Sequence, residues 1–84
     1  MIAKELGALA VAGIRRPGVT FVGGVRGLAI SVATGGSRSW ILRYQLAGRR
    51  RELGLGSYPS VTLANAREAA RAARGKLAQG IDPR

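Results

Sequence analysis

Arginine is the residue type through which this chain could recognise another molecule, and five arginines stand within one short stretch. They are Arg38, Arg43, Arg49, Arg50 and Arg51, and the acidic residue closest to them is Glu52. The planar guanidinium group matches phosphate oxygens and the edge of guanine through paired hydrogen bonds. The stretch therefore indicates binding to a nucleic acid, which presents both groups.

The charge of the whole chain points in the same direction. Fourteen Lys and Arg residues stand against four Asp and Glu residues, which gives a net charge of +10 over 84 residues. Apolar residues make up 46% of the chain and are distributed along it, so we expect a folded domain rather than a basic tail. Such a surface favours a polyanionic partner, because phosphates offset its self-repulsion. A basic surface that is merely solvated is the alternative.

Catalysis lacks its usual agents in this sequence. There is no His and no Cys, so imidazole acid–base chemistry, thiol chemistry and the commonest metal ligands are missing. The four carboxylates are far apart along the chain. We therefore predict no catalytic residue, no metal site, no cofactor and no small-molecule substrate.

Length and hydropathy restrict the chain further. A chain of 84 residues suits one domain, since domains are seldom smaller than about 50 residues. No apolar run approaches the roughly 18 residues that suggest a membrane span, and the first residues lack the pattern of a secretory signal. We expect a single domain over residues 1–84, located in the cytoplasm and without a membrane partner.

Alternation of apolar with small or polar residues predicts the strands. Segments 28–33, 39–46 and 49–55 show this period of two, and a shorter segment at 19–22 is expected at a sheet edge. Ala47-Gly48 can close a tight hairpin, because glycine accepts the positive φ that such turns need. The sequence therefore predicts an antiparallel meander of three to four strands.

A C-terminal helix is expected to cover this sheet. Thr62 is a good N-cap residue and Gly80 has the position of a C′ glycine, so the helix should run to Gln79. A short N-terminal helix within residues 4–14 should be weakened by its glycines. The predicted fold class is α+β. The apolar stripe of the C-terminal helix is mostly alanine, which lets a helix lie close to a sheet, and consists of Leu63, Ala66, Ala70, Ala73 and Leu77.

Strand parity divides the predicted sheet into two faces. The face toward the helix would hold the core, and its residues are Leu28, Ile30, Val32, Trp40, Leu42, Tyr44, Leu53 and Leu55. This parity favours core packing of Trp40 and Tyr44 over a role as stacking platforms for bases. The opposite face has no further cover in the chain, and it carries Ser31, Ser39, Ile41, Arg43, Gln45, Arg50 and Glu52.

The uncovered face suggests a mode of DNA binding. A B-DNA major groove is about 12 Å wide and admits a β-ribbon, so Arg43 and Gln45 in mid-strand would reach base edges. Basic residues beside the hairpin tips would contact flanking phosphates, which position a protein without specifying sequence. Cations that keep exposed strands soluble are the alternative explanation. The predicted DNA contacts are Ser31, Arg38, Ser39, Ile41, Arg43, Gln45, Arg49, Arg50 and Arg71.

Arg67 and Arg71 lie on the predicted C-terminal helix and receive different interpretations. Arg67 borders the apolar stripe, where an arginine stem commonly covers apolar surface and its guanidinium group bonds to loop carbonyls. We therefore predict a structural role for Arg67 and a phosphate contact for the more exposed Arg71. A membrane-surface role for the helix is disfavoured, since its apolar face is mostly alanine.

Six short motifs follow one another along nearly the whole chain, from Leu6 to Pro83. Each motif alone is weak, but their order and spacing are specific. They resemble the N-terminal arm-type DNA-binding domain of phage and prophage integrases, which belong to the tyrosine recombinases. The motifs are Gly27-Leu28, Gly36-Ser37-Arg38-Ser39-Trp40, Arg43-Tyr44, Leu55-Gly56-Ser57-Tyr58-Pro59, Leu63-Ala64-Asn65-Ala66-Arg67 and Gly80-Ile81-Asp82-Pro83.

The resemblance implies a function. The sheet would lie in the major groove of arm-type sites on double-stranded DNA and support site-specific recombination and DNA integration. Residues 80–84 would begin a linker to core-binding and catalytic domains outside this chain, and other integrase subunits would be partners. The setting would be the cytoplasm of a bacterial host, on the nucleoid. A protein-interaction module of the recombination complex and an RNA-binding domain are the alternatives.

Three positions depart from the family pattern. Asn65 stands where Glu is common, so the reciprocal capping box at the helix start is lost. Ala29, Ser31 and Ala33 are small where bulkier or basic residues are common, which weakens a base-reading role for that strand. Val22-Gly23-Gly24 replaces a turn that commonly contains Asp.

Overall fold

The computed structural model describes residues 4–84, and the four strands within that range form one antiparallel sheet in which strands consecutive in sequence are neighbours. The C-terminal helix packs against one face of the sheet. The predicted α+β meander is therefore confirmed. Within residues 4–84, no helix has the length and apolar character that a membrane crossing requires. The elements are α1 (Ala8–Ala12), β1 (Gly18–Phe21), β2 (Leu28–Val32), β3 (Arg38–Leu46), β4 (Arg49–Tyr58) and α2 (Leu63–Ala78).

The core lies between α2 and the sheet face that carries Trp40. The fully buried side chains on this face include Trp40, Leu28 and Ile30, as their strand parity predicts. The indole Nε1 of Trp40 donates a hydrogen bond to the carbonyl oxygen of Val61 at 2.7 Å. Because the one polar group of this side chain is satisfied inside the protein, Trp40 is a core residue.

Helix α2 begins directly after Thr62, as predicted, and ends at Ala78, one residue before the predicted end at Gln79. The hydroxyl of Thr62 accepts a hydrogen bond from the backbone N–H of Asn65 at 3.2 Å. At the other end, the N–H of Ile81 donates to the carbonyl oxygen of Lys76 at 2.9 Å, across Gly80 with its φ of +78°. This closure is the one that a left-handed glycine permits after a helix. The buried residues between these caps are Leu63, Ala66, Ala70 and Ala73.

Helix α1 is shorter than the helix expected within residues 4–14. It has five residues, begins after Gly7 and ends before Gly13. Glycine costs about 1 kcal/mol relative to alanine in a helix interior, so the helix is confined between its two glycines. Val11 is its buried residue and joins the core, which anchors this segment beside the sheet.

Strand β4 continues to Tyr58, beyond the predicted end at Leu55. The register of β4 against β3 shifts at Leu55, which has no partner in β3. Gly56 follows with a φ of +115°, a conformation that side chains rarely adopt. A Cβ added at Gly56 would approach Cγ2 of Val61 to 2.5 Å. Leu55 and Gly56 therefore form a β-bulge, which alternation alone did not predict.

Two arginines of α2 fasten the helix to segments beside the sheet. Arg67 donates from Nη2 to the carbonyl oxygen of Leu6 at 2.7 Å. Arg74 donates from Nε to the carbonyl oxygen of Arg26 at 2.8 Å and from Nη2 to that of Arg43 at 3.1 Å. The structural role predicted for Arg67 is confirmed, and Arg74 has a similar role.

The segment after α2 lies against the ends of β3 and β4. Asp82 accepts hydrogen bonds from the hydroxyl of Tyr44 at 2.7 Å and from the backbone N–H of Arg84 at 3.1 Å. These two bonds, together with the charges of Arg51 and Arg84, lower the pKa of Asp82 against the opposing effect of burial. Burial and the bond to Asp82 raise the pKa of Tyr44. The contact fixes the beginning of the predicted linker to the sheet.

Replacing Tyr44 with Phe should reduce the dependence of stability on acid pH. A carboxyl group whose folded-state pKa is lowered stabilises the fold above its ordinary value of 3.8, and this contribution is lost as pH falls through the lowered pKa. In Tyr44→Phe the pKa of Asp82 moves back toward 3.8, so less stability is lost. The measurement is the free energy of urea unfolding between about pH 6 and about pH 2. Parallel curves for the two proteins would contradict this account.

Candidate nucleic-acid interface

The face of the sheet opposite α2 is not covered by any part of residues 4–84, and we call it the open face. The register pairs Arg43 with Glu52 and Gln45 with Arg50, and directly paired residues of antiparallel strands point to the same face. Their parity is opposite to that of buried Trp40. The structure brings the predicted residues together on this face, and these are Ser31, Ser39, Ile41, Arg43, Gln45, Arg50 and Glu52.

Strand β1 adds an apolar strip to the open face. Val19 pairs with Ser31, and Phe21 pairs with Ala29. Val19 and Phe21 are each 39% exposed, and half-buried Ile41 continues the strip on β3. Alternation did not reveal this arrangement, because the loop between β1 and β2 left the register of β1 open. The open face therefore combines an apolar strip with arginines.

Arg43 is held in place at the centre of the open face. Its Nε and Nη2 contact the same carboxylate oxygen of Glu52 at 2.8 and 2.7 Å, and its guanidinium carbon lies 5.6 Å from the centre of the Phe21 ring. The Arg43 and Glu52 side chains are 40% and 48% exposed. Since exposed ion pairs contribute at most about 1 kcal/mol, a phosphate or a base edge can compete with Glu52 for this guanidinium group.

The turn between β3 and β4 presents basic side chains. Ala47 and Gly48 have φ angles of 51° and 77°, as two-residue hairpin turns require, and the predicted hairpin is confirmed. Arg49 and Arg50 follow directly and are exposed. Arg50 has the parity of the open face, whereas Arg49 has the opposite parity. The turn therefore places positive charge at the end of the open face.

Arg38 lies on the opposite face of the sheet, beside the core. Its Nη1 donates to the carbonyl oxygens of Ala12 and Ile14 at 3.1 and 3.3 Å, and its guanidinium carbon lies 4.7 Å from the centre of the Tyr58 ring. These contacts join the end of α1 to the sheet. Arg38 is two residues from Trp40 in β3, so strand parity places both side chains on the same face of the sheet. The structure does not bring Arg38 to the open face.

Arg71 is also separated from the open face. It is exposed on α2, and α2 covers the side of the sheet that carries Trp40. The sheet therefore stands between Arg71 and Arg43. The structure brings neither Arg71 nor Arg38 together with the other predicted DNA contacts.

A family model described as the arm DNA-binding domain matches residues 5–84. The chain belongs to this family. The match includes all four strands and both helices, and it confirms the resemblance found in the sequence motifs. The open face is therefore a surface of an arm DNA-binding domain.

Relatives of this arm DNA-binding domain are integrases. It is 42% identical over 57 residues to the integrase of Shigella phage Sf6 and to the prophage integrase IntS of Escherichia coli strain K12, and each alignment covers 68% of this chain and 15% of the relative. Identity with the integrase of Enterobacteria phage P4 is 40% over 60 residues, which covers 69% of this chain and 14% of that relative. The chain therefore spans only a small part of the length of these integrases.

Replacing Glu52 with Gln should strengthen binding of the arm DNA-binding domain to duplex DNA. The substitution removes a negative charge from the open face and releases the Arg43 guanidinium group. Because an exposed ion pair is worth at most about 1 kcal/mol, the expected gain in affinity is up to about fivefold. Fluorescence anisotropy with a labelled duplex at fixed salt measures it.

Glu68→Gln is the matched control, since Glu68 is exposed on α2 and its substitution changes the net charge equally. The gain from Glu52→Gln should exceed the gain from Glu68→Gln. Equal gains would show that only net charge matters and that the Arg43–Glu52 pair does not regulate binding.

Proposed function

We propose that this arm DNA-binding domain binds double-stranded DNA by seating its open face in the major groove of arm-type sites. The observation that carries the proposal is the position of Arg43 and Gln45, which lie in the same strand on a sheet face that no segment of residues 4–84 covers. Arginine pairs with the O6 and N7 atoms of guanine, and glutamine pairs with the N6 and N7 atoms of adenine. These two side chains therefore read base edges.

The size of the open face suits the groove. Neighbouring strands lie about 4.8 Å apart, so the outer strands of the β2–β4 ribbon are separated by about 10 Å, which is comparable with the major-groove width of about 12 Å. Ile41 provides an apolar surface for a thymine methyl group. Ser31 and Ser39, which pair across β2 and β3, offer hydroxyl groups to the sugar–phosphate backbone.

Backbone phosphates are contacted from the hairpin end. Arg49 and Arg50 are exposed beside the turn at Ala47-Gly48. From this position they reach the DNA phosphates that flank the groove. Phosphate contacts of this kind fix the orientation of a protein on the duplex without reading its sequence. Specificity therefore depends on Arg43 and Gln45, and much of the affinity depends on the arginines around them.

The parent protein is proposed to be a tyrosine recombinase. Its arm DNA-binding domain would anchor it to arm-type sites during site-specific recombination and DNA integration, in the bacterial cytoplasm and on the nucleoid. Residues 80–84 would lead to core-binding and catalytic domains, and other integrase subunits would be partners in the same complex. Because Asp82 is bonded to Tyr44, the linker would leave the sheet in a fixed direction.

Replacing Arg43 with Ala should weaken binding to a preferred duplex more than binding to a scrambled one. A preferred duplex is obtained by selecting, from a library of duplexes with random sequence, those that the chain binds. Loss of a base contact by arginine costs about 1–3 kcal/mol, so affinity for the selected duplex should fall between about fivefold and about a hundredfold. Titrations of both duplexes at the same salt concentration measure the difference.

Arg49→Ala provides the contrast, since Arg49 is assigned to a phosphate. It should weaken both duplexes equally and reduce the slope of log affinity against log salt by about 0.9. If Arg43→Ala also weakens both duplexes equally, base reading by Arg43 is wrong.

A protein-interaction module is the second candidate, and the apolar strip of Val19, Phe21 and Ile41 favours it. Apolar surface of this kind also forms the centre of protein interfaces. Salt-insensitive association between chains, without duplex binding, would support this candidate. Competition by duplex RNA as strong as that by duplex DNA would instead indicate an RNA-binding domain.

A further inference from the structure

Strand β3 extends past the beginning of β2 and leaves a step at the edge of the sheet. Leu28, the first residue of β2, pairs with Leu42, so the last residues of β3 have β4 on one side only. The carbonyl oxygen of Gly27 accepts a hydrogen bond from the N–H of Arg43 at 2.8 Å, and this is the last hydrogen bond between β3 and the segment that leads into β2. Beyond it lies an open concavity of about 550 Å³, which we call the edge concavity. Its lining includes Phe21, Arg26, Arg43, Gln45, Arg50 and Arg74.

The guanidinium group of Arg74 is a fixed part of the edge concavity. It donates from Nε to the carbonyl oxygen of Arg26 and from Nη2 to that of Arg43, at 2.8 and 3.1 Å. A guanidinium group has five N–H donors, and these two bonds occupy two of them. Within residues 4–84, the hydrogen-bonding pattern gives the other three no acceptor. Arg74 is therefore positioned by the backbone and keeps donors for a ligand.

Gly27 makes this position possible. Its φ is +86°, and an added Cβ would lie 2.6 Å from Nη2 of Arg74. That Cβ would also collide with the carbonyl oxygen of Arg43. A glycine at this position therefore allows the guanidinium group to cross the loop and reach the edge of the sheet.

The charges of Arg26 and Arg74 in the edge concavity are not balanced by an ion pair with another described residue. Within residues 4–84, ion pairs connect Glu52 with Arg43, Asp82 with Arg51 and Glu5 with Arg67, and none includes Arg26 or Arg74. Burial lowers the pKa of Arg74, and the nearby charge of Arg26 lowers it further. Two like charges held together in this way are stabilised by an anion between them.

We propose that the edge concavity binds one phosphate of the DNA backbone, with Arg74 as its fixed donor and Arg26 as a second, exposed donor. The proposal rests on the proposed function, because Arg43 and Gln45 belong both to the open face and to the lining of the edge concavity. A duplex that contacts these two side chains through its bases brings its sugar–phosphate backbone to the edge of the same strand. Arg26 and Arg74 then hold the phosphodiester oxygens.

The first test replaces Arg26 with Ala and measures affinity over a range of salt concentrations. Arg26 is exposed and contributes only its backbone carbonyl to the contact with Arg74, so the fold is retained. Loss of one of the two cations at this phosphate should reduce the slope of log affinity against log salt by up to about 0.9. The loss should be equal for the selected and the scrambled duplex, because a phosphate contact reads no sequence.

Lys76→Ala is the matched control for charge. Lys76 is exposed on α2, and about 100° of helical rotation per residue places it on the opposite side of the helix from Arg74. The control should leave the salt slope unchanged. If Arg26→Ala and Lys76→Ala give the same slope while the unmodified chain binds the duplex, the inference fails and the proposed function stands.

Duplexes that carry a single neutral methylphosphonate locate the phosphate. One position should weaken binding of the unmodified chain more than binding of Arg26→Ala, since one of the two donors to that phosphate is already lost there. If each position affects the two proteins equally, the edge concavity does not bind a DNA phosphate.

Inorganic phosphate separates the two possible sources of the anion. In an NMR titration of the 84-residue chain, the Nε–Hε signal of Arg74 should shift and saturate with duplex, and Arg26→Ala should raise the duplex concentration at which the shift saturates. Equal saturation by inorganic phosphate at low concentration, in a chain that binds no duplex, would assign the concavity to free phosphate. That outcome would overturn both this inference and the proposed function.

Discussion

The packing of α2 against the Trp40 face of the sheet is the constraint on which the rest of the structure depends. A four-stranded sheet has two faces, and α2 is the one long helix in residues 4–84. Its alanines let it lie close to the sheet, so that Arg67 and Arg74 reach backbone carbonyls beside the strands. One face is thereby committed to the core, and the other stays available for a ligand.

Several arginines donate their hydrogen bonds to uncharged acceptors, which explains why the domain stays so strongly charged. Arg38 and Arg74 bond to backbone carbonyl oxygens, which satisfy a donor without neutralising its charge. The chain has only four acidic residues for fourteen basic ones. Arginines that stabilise the fold therefore also contribute to the positive field around it, which attracts a polyanion over distances longer than contact and accelerates association.

Local patterns predicted much of this structure, and the rest depends on contacts distant in sequence. Alternation over residues 39–46 placed Arg43 and Gln45 on one face, because parity is a property of the strand itself. The register of β1 was not predictable, since the loop before Leu28 contains three glycines, and so Phe21 was missed. The partners of Arg38 and Arg74 were also missed. These partners are backbone carbonyl oxygens. Because every residue has one, the amino-acid sequence does not indicate which of them an arginine will bond to.

The methyl groups of Ile41 and Ile30 provide the most direct test of the claim that a duplex lies on the open face. Ile41 has the parity of the open face, whereas Ile30 is fully buried on the core face of the neighbouring strand. When a chain with isotope-labelled isoleucine methyl groups is titrated with duplex DNA, we expect intermolecular NOEs and a saturable shift at Ile41 and no NOE at Ile30. NOEs confined to Ile14 or Ile81, with the Ile41 signal unmoved, would contradict the claim.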